Sequence, residues 1–204
     1  IHPPEHHSES PDAMFAHIPG IRVVYPSSPK RAYGLLLAAI RDPDPVVFLE
    51  PTRLYRLFKE EVTDIGEALP LDACFTLREG TDLTLVSWGA MVYETLQAAD
   101  ELAEQGIAAE VIDVATLKPI DFDTILASVA RTGRCVVVTE APRHCSIASE
   151  IAATLAEYGL LTLLAPVVRV TAPDVVVPLP RLEPFYLPGK KQILAAVKKV
   201  LEFS

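Results

Sequence analysis

The sequence predicts an α/β protein in which helices cover both faces of a mostly parallel sheet. Short, continuous apolar runs rich in valine, isoleucine and leucine alternate with longer segments whose apolar residues recur at helical spacing. Glycine or proline separates most of these segments, as is typical of element boundaries. Apolar residues make up 50% of the 204 residues, which is enough to form one sizeable core or two modest ones.

The first βαβ unit is predicted near the start of the chain. A strand is expected over residues 21–25, and Ser28 with Pro29 is the cap and first-turn signal of a helix. That helix is expected to end before Pro43, and a second strand follows over residues 46–50. Two strands that flank one helix in this way are parallel and are joined by a right-handed crossover.

A second series of alternating elements is predicted after Gly80. Residues 54–76 before it carry mixed charge and no long periodic apolar face, as expected for a linker between domains. After Gly80 we expect strands over residues 83–88, 109–114, 135–140 and 167–170, and helices over residues 91–105, from Asp121 to Gly133, over 146–158 and over 190–201.

The charge and cysteine content exclude several classes of function. The net charge of −9 argues against a nucleic-acid-binding surface, and no apolar run reaches the length of a membrane span. The chain starts at Ile1 without a targeting signal or initiator methionine, so we expect it to be a segment of a longer polypeptide. Widely spaced cysteines without metal-site spacing predict reduced thiols of an intracellular protein: Cys74, Cys135 and Cys145.

A pair of histidines just ahead of a helix start is the first candidate site. Ser10 is expected to cap a short helix that has Pro11 in its first turn and ends near His17. His7 then lies on the loop before the helix N-terminus, where unpaired N–H groups favour a carboxylate or phosphate. Imidazole changes its protonation near neutral pH and can move a proton. The alternative is that His6 and His7 are ordinary exposed loop residues.

The loop after the strand at residues 135–140 is a second candidate. It contains His144 next to Cys145, which raises the possibility of a nucleophilic thiol activated by an imidazole. Adjacent residues rarely point at one another, and no glycine-rich oxyanion loop accompanies the pair. We therefore interpret His144 as a loop or interface residue.

An oxygen-rich turn follows the helix that begins at Pro29. Asp42 and Asp44 converge there with the helix-end carbonyl groups of Ala39 and Ile40, and such turns can hold a hard cation. Aspartate and proline also favour turns for purely conformational reasons. The residues alone favour this second, purely structural interpretation.

Motifs along essentially the whole chain match one family. The sequence resembles the β subunit of thiamine-diphosphate-dependent 2-oxo acid dehydrogenases and is most similar to branched-chain 2-oxoisovalerate dehydrogenase E1β. The residues that carry the resemblance include His7-Ser8, Ser10-Pro11, Phe15-Ala16-His17, Pro19-Gly20, Phe48-x-Glu50-Pro51, Leu54-Tyr55-Arg56, Glu110-Val111-Ile112-Asp113, Glu140-Ala141-Pro142 and Tyr186-x-Pro188.

The resemblance implies two domains. Residues 1–56 would be the C-terminal part of the transketolase-like pyrimidine-binding domain, and residues 57–79 a linker. Residues 80–204 would be a transketolase C-terminal-like domain with a doubly wound, mostly parallel sheet. A chain of this family is expected in the cytoplasm of a bacterium or archaeon, or in the mitochondrial matrix of a eukaryote, and is not expected to be secreted.

The implied function is oxidative decarboxylation of branched-chain 2-oxo acids with acyl transfer to lipoyl-E2. The alternatives are a pyruvate dehydrogenase E1β or, in this truncated form, a non-catalytic module for assembly and E2 docking. The implied partners are an E1 α subunit in an α2β2 heterotetramer, the E2 lipoyl acyltransferase and the 2-oxo acid, without nucleic acid or membrane.

The resemblance also implies cofactors and site residues. Thiamine diphosphate with Mg²⁺ would occupy a site shared with the α subunit. The glutamate that activates thiamine would lie before Ile1, so the isolated chain is expected to be inactive. His7 matches the catalytic histidine of the family. A structural K⁺ would be held by oxygens matching Ala39, Ile40, Asp42 and Asp44, the last through its backbone carbonyl because asparagine is common there.

Two loops depart from the family pattern. Cys145-Ser146-Ile147 stands where family members often have glycines, and Asp174-Val175-Val176 replaces the usual Asp-Thr-Pro. The second departure lies in an apolar, proline-rich stretch over residues 172–180. Such a stretch, if exposed, would fit a protein interface.

Overall fold

The computed structural model describes residues 7–203, which form two sheets with helices packed on them. The strands of this part are β1 Arg22–Val24, β2 Val46–Phe48, β3 Phe75–Arg78, β4 Leu83–Ser87, β5 Ala109–Asp113, β6 Thr116–Lys118, β7 Cys135–Pro142 and β8 Val168–Ala172. The helices are α1 Asp12–His17, α2 Pro29–Arg41, α3 Met91–Glu104, α4 Phe122–Thr132, α5 Ile147–Tyr158, α6 Glu183–Tyr186 and α7 Lys190–Leu201.

The larger sheet has the strand order β3-β5-β4-β7-β8 and confirms the predicted α/β class. Strand β4 pairs in parallel with both β5 and β7, and β7 pairs in parallel with β8. All five residues of β4 are buried, as expected for a central strand covered on both faces. The edge strand β3 runs antiparallel to β5 and is not among the strands that periodicity predicts.

Two cores form because successive side chains of a strand point to opposite faces. Leu85 of β4 belongs to the core that includes residues of α3 and α7. The next residue, Val86, belongs to the core that includes residues of α4 and α5. This second core also takes up Val23 and Tyr25, so the first part of the chain packs on the same face of the sheet as α4 and α5.

The smaller sheet joins distant parts of the chain. Its order is β2-β1-β6, with β1 parallel to β2 as predicted and β6 antiparallel to β1. The Tyr25 amide also donates a hydrogen bond to the carbonyl of Ala115, at 2.7 Å. Strand β6 has the sequence Thr116-Leu117-Lys118, which lacks the apolar run that predicted β1 and β2, and the sequence did not predict it.

Several helix ends follow the predicted capping chemistry. The Ser28 hydroxyl accepts a hydrogen bond from the Arg31 amide at 3.3 Å, and the Asp121 carboxylate accepts one from the Thr124 amide at 3.0 Å. Gly133 ends α4 with a positive φ of 69°. Among helices in the described range, none is long and apolar enough to cross a membrane.

The predicted N-cap of α1 is wrong. The helix begins at Asp12, and Pro11 rather than Ser10 occupies the N-cap position, without a side-chain cap. The carboxylate of Asp12 instead accepts a hydrogen bond from the Ala13 amide at 2.8 Å. At the other end of the helix, the Lys118 ammonium donates to carbonyl oxygens of residues 16 and 18, which satisfies groups that helix geometry leaves unpaired.

The segment expected to be a linker, residues 57–79, contains both irregular and regular structure. Residues 58–70 have no regular secondary structure and lie along α2, where the Leu69 amide donates to the Gly34 carbonyl at 3.0 Å. Strand β3 at the end of the segment belongs to the larger sheet. The domain boundaries themselves remain an expectation.

Candidate functional site

We define the histidine segment as residues 7–12. His7 is exposed in a bend ahead of α1, whereas Asp12 at the other end of the segment is fully buried. Helix α1 has only six residues, so its dipole is weak support for an anion site. The structure therefore presents the His7 imidazole on the surface and anchors the segment through its far end.

Trp88 is the direct anchor of that far end. Its indole N–H donates a hydrogen bond to Asp12 Oδ2 at 2.9 Å, and both side chains are buried. Burial raises the pKa of the Asp12 carboxyl, while the hydrogen bonds from Trp88 and from the Ala13 amide act in the opposite direction. Trp88 follows β4 directly, so the carboxyl edge of the larger sheet holds the start of α1.

A second set of connected polar side chains lies near the Trp88–Asp12 hydrogen bond. The Tyr25 hydroxyl donates to Glu140 Oε1 at 3.2 Å, and the guanidinium of Arg53 lies 3.8 Å from Glu140 Oε2 and 2.9 Å from Glu94. Burial raises the pKa of Glu140, and the Arg53 charge opposes that rise. Burial, followed by the charges of Glu140 and Asp12, raises the pKa of Tyr25 well above its ordinary value.

Sequence reasoning missed these groups as a site. Trp88 and Asp12 are 76 residues apart, and Tyr25 and Glu140 are 115 residues apart, so no local spacing connects them. A usable signal was the position of Trp88 and Glu140 at the carboxyl ends of parallel strands, where ligands and functional residues gather in open α/β sheets.

The candidate pair of His144 and Cys145 is not assembled as a nucleophilic site. The imidazole Nδ1 lies 2.6 Å from Asp174 Oδ2, and the His144 amide donates to the other oxygen of Asp174 at 3.0 Å. No hydrogen bond within residues 7–203 joins this imidazole to the Cys145 thiol. His144 therefore ties the loop after β7 to the proline-rich stretch.

His17 lies at the other end of α1 from the anchored carboxylate. It is exposed and lines an open cleft of about 790 Å³ between α1 and the start of α5. The cleft walls are mostly apolar and include Met14 and Phe122, with Lys118 and Glu150 as charged groups. Between residues 7 and 203, no hydrogen bond joins the His17 imidazole to another side chain.

The turn at residues 42–44 is organised around an arginine. Asp42 Oδ2 lies 3.2 Å and Asp44 Oδ2 lies 4.0 Å from Arg22 Nε, and the Asp44 amide donates to Asp42 Oδ1 at 2.9 Å. A guanidinium this close already balances the carboxylate charges, which leaves backbone carbonyls at the end of α2 as the better donors for a cation. Among the described residues no three histidines, cysteines or acids form a metal-binding group.

A buried carboxylate also connects the two parts of the chain. Asp113 at the end of β5 accepts a hydrogen bond from the Ser27 hydroxyl at 2.5 Å and one from the Ala115 amide at 3.2 Å. Burial raises the pKa of Asp113 to about 6, opposed by Ser27, by the charge of Arg31 and by Ala115. The protonated form is therefore favoured by the fold.

Replacing Asp113 by asparagine is expected to change how stability depends on pH. The pKa of Asp113 rises from 3.8 to about 6 on folding, so its stabilising contribution is complete below the lower value and is lost as pH rises through the higher one. The free energy of unfolding of the wild type, minus that of Asp113→Asn, should fall by about 3 kcal/mol across this range. Chemical denaturation at a series of pH values measures it, and a constant difference would contradict the raised pKa.

Comparison with known proteins agrees with the observed fold. Residues 73–193 match the family described as the transketolase C-terminal domain, and residues 2–57 match the transketolase pyrimidine binding domain. A solved structure entitled "Split gene transketolase, inactive beta4 tetramer" aligns with a TM-score of 0.77 at 28% identity, covering 94% of this chain and 61% of the other.

Curated relatives are similar over the whole of this chain. The pyruvate dehydrogenase E1 component subunit beta of Bacillus subtilis (strain 168) is 49% identical over 203 residues, and that of Staphylococcus epidermidis (strain ATCC 12228 / FDA PCI 1200) is 46% identical. Each alignment covers 100% of this chain and 62% of the relative. The chain thus spans less than two thirds of the length of these relatives. Because the match over residues 73–193 covers more than half of the chain, the chain belongs to the domain family described as the transketolase C-terminal domain.

Proposed function

We propose that this chain is part of the β subunit of a 2-oxo acid dehydrogenase E1. The observation that carries the proposal is the identity of 49% to a pyruvate dehydrogenase E1 subunit beta across all of the aligned chain. Similarity at this level, spread over both matched domains, is more specific than a shared fold, which by itself names no reaction. The activity belongs to the whole protein, of which these residues form a portion.

The names of the relatives point to pyruvate as the substrate. Both curated relatives described above carry pyruvate dehydrogenase in their names, whereas the motif resemblance favoured a branched-chain 2-oxo acid. We therefore propose pyruvate first and keep branched-chain 2-oxo acids as the second candidate, because the motifs along the chain resemble the branched-chain E1β most. Both substrates share the 2-oxo carboxylate that the site must recognise.

Turnover of a substrate panel tests the proposal. The full-length subunit, assembled with its α partner and lipoyl-E2, should acylate the lipoyl group with pyruvate at a higher kcat/KM than with 2-oxoisovalerate. The reverse order would select the branched-chain candidate. Failure of every 2-oxo acid, together with turnover of a transketolase sugar-phosphate donor, would overturn the assignment.

We propose that His7 acts in general acid–base catalysis. Its imidazole is exposed on an anchored segment, where it can reach a substrate bound at a shared surface. A neutral imidazole accepts a proton and an imidazolium donates one or pairs with a carboxylate, so the side chain can orient the substrate and move a proton during acyl transfer. The cofactor that the family implies, thiamine diphosphate with Mg²⁺, supplies the carbon nucleophile for decarboxylation when it is bound.

The partners that we propose are an E1 α subunit in an α2β2 assembly and the E2 lipoyl acyltransferase. Large apolar side chains are exposed on the proline-rich stretch and its continuation, including Val176 at 86% and Phe185 at 83% exposure. Exposed apolar side chains of this size fit a protein interface better than a solvent-facing surface. A role in assembly alone is the alternative for the segment in isolation.

Potassium is expected to stabilise the assembled protein. We propose that oxygens of four residues contribute to a K⁺ site: Ala39, Ile40, Asp42 and Asp44. Backbone carbonyls are the better donors among them, since Arg22 already contacts the carboxylates of the turn. A ligand that binds only the folded state raises its stability. The thermal unfolding midpoint should therefore rise by a few degrees when KCl replaces NaCl at equal ionic strength, and equal midpoints in the two salts would contradict the site.

A further inference from the structure

The histidine segment rests on the turn between β4 and α3. Trp88 and Gly89 lie in this turn. Trp88 donates to Asp12, and the ring of Tyr25 packs over Gly89 so closely that a Cβ atom there would lie 2.9 Å from Tyr25 Cε2. Gly89 also has a positive φ of 54°, so a side chain is disfavoured on two counts.

The middle of the histidine segment lies against the same surface. The Ser10 hydroxyl is buried beside Tyr25. The buried groups of the segment are therefore Asp12 and the Ser10 hydroxyl, and His7 at its start is exposed.

We propose that Trp88 is a positioning residue for His7, because it fixes the histidine segment through Asp12. The inference rests on the proposed role of His7 and extends it to the C-terminal domain. Trp88 acts through one directional hydrogen bond of 2.9 Å to Asp12 Oδ2. It does not need to contact the substrate.

Directional anchors suit this task better than apolar packing. An exposed loop residue samples many positions, and a misplacement of about 1 Å can cost on the order of 100-fold in rate. Leaving a buried donor or acceptor unpaired costs free energy, so two buried groups stay in the arrangement that keeps their hydrogen bond. The buried carboxylate of Asp12 is therefore held in one place, and the segment that leads back to His7 is held with it.

The test uses Trp88→Phe in the full-length subunit assembled with its α partner. This variant keeps an aromatic ring and removes the N–H donor. Amide hydrogen exchange in a peptide covering residues 8–17 should become several-fold faster, and acylation of a lipoyl domain with pyruvate should slow about tenfold with a smaller change in KM. Asp12→Asn, which leaves one acceptor for two donors, should act in the same direction if Trp88→Phe does not fold.

Ser128→Ala is the matched control. Its hydroxyl lies 2.7 Å from the hydroxyl of Thr84 in the buried interior of the C-terminal domain and has no hydrogen bond to the histidine segment among residues 7–203. The control therefore removes a buried hydrogen bond of the same domain. It should leave both the exchange of residues 8–17 and the acylation rate unchanged, so general destabilisation is separated from loss of positioning.

A double-variant cycle with His7→Ala distinguishes the possible outcomes. If Trp88 acts through the imidazole, Trp88→Phe slows acylation in the wild-type background and has no further effect in the His7→Ala background. Equal slowing in both backgrounds, or unchanged exchange of residues 8–17, would overturn the positioning role while the role of His7 stands. Unchanged acylation by His7→Ala alone would instead overturn the role of His7 and, with it, the positioning role.

Discussion

Replacing His7 by alanine in the full-length, assembled subunit is expected to slow acylation of the lipoyl group roughly 100- to 10,000-fold. This is the range that general acid–base groups typically contribute. The thermal unfolding midpoint should change little, because the side chain is exposed and surface substitutions are usually mild. Single-turnover acylation with a lipoyl domain in excess measures the loss directly, separately from substrate binding and product release.

His17→Ala provides the matched control for this experiment. His17 is also an exposed histidine near the start of the chain, but it lies at the end of α1 and lines the cleft toward α5. Its replacement should leave the acylation rate within about twofold of the wild type. Equal effects of the two substitutions would show that His7 has no special role.

Replacing Gly80 by alanine is expected to cause a large loss of stability. A Cβ atom at residue 80 would lie 2.2 Å from the backbone nitrogen of Glu110 and 2.3 Å from the carbonyl carbon of Ala109. Backbone atoms at the start of β5 cannot rotate away as a flexible side chain can. We expect a loss of about 3 kcal/mol in the free energy of unfolding, measured by urea denaturation.

Gly189→Ala is the corresponding control for added volume. A Cβ atom there would meet only ordinary contacts, the nearest at 3.6 Å from Glu94 Oε2, and the backbone at Gly189 is extended. Its effect should stay within about 0.5 kcal/mol. A similarly small effect at Gly80 would mean that the turn between β3 and β4 moves away from β5 more easily than the close approach indicates.

The regular elements were predictable because their signals are local. Helix α7 was expected over residues 190–201, and the structure has it as Lys190–Leu201. Apolar spacing and the end signals of a helix all lie within a few residues of one another, so a single stretch of sequence contains them. Strands β3 and β6 were missed because both mix polar with apolar residues and lack a continuous apolar run, and because their pairing depends on distant strands.

The candidate site was only partly predictable for the same reason. The imidazole of His7 was singled out by its position before a helix start, but the choice between His6, His7 and His17 came from family resemblance. His6 lies outside the described residues. The partners of Asp12 and Tyr25 were not predictable, since the hydrogen bonds to Trp88 and Glu140 join residues that only the folded chain brings together.

The pairing of β6 with β1 means that the boundary between the two family matches is not a boundary between independent structural units. Along the chain, a boundary within residues 58–70 separates the two family matches, but β1 and β6 lie on opposite sides of this boundary and pair with each other. Excising the later part alone would leave β6 with a bare edge, the kind of surface that recruits foreign strands and promotes aggregation. We therefore expect the residues on the two sides of this boundary to fold as one cooperative unit, because each side supplies one strand of the ladder.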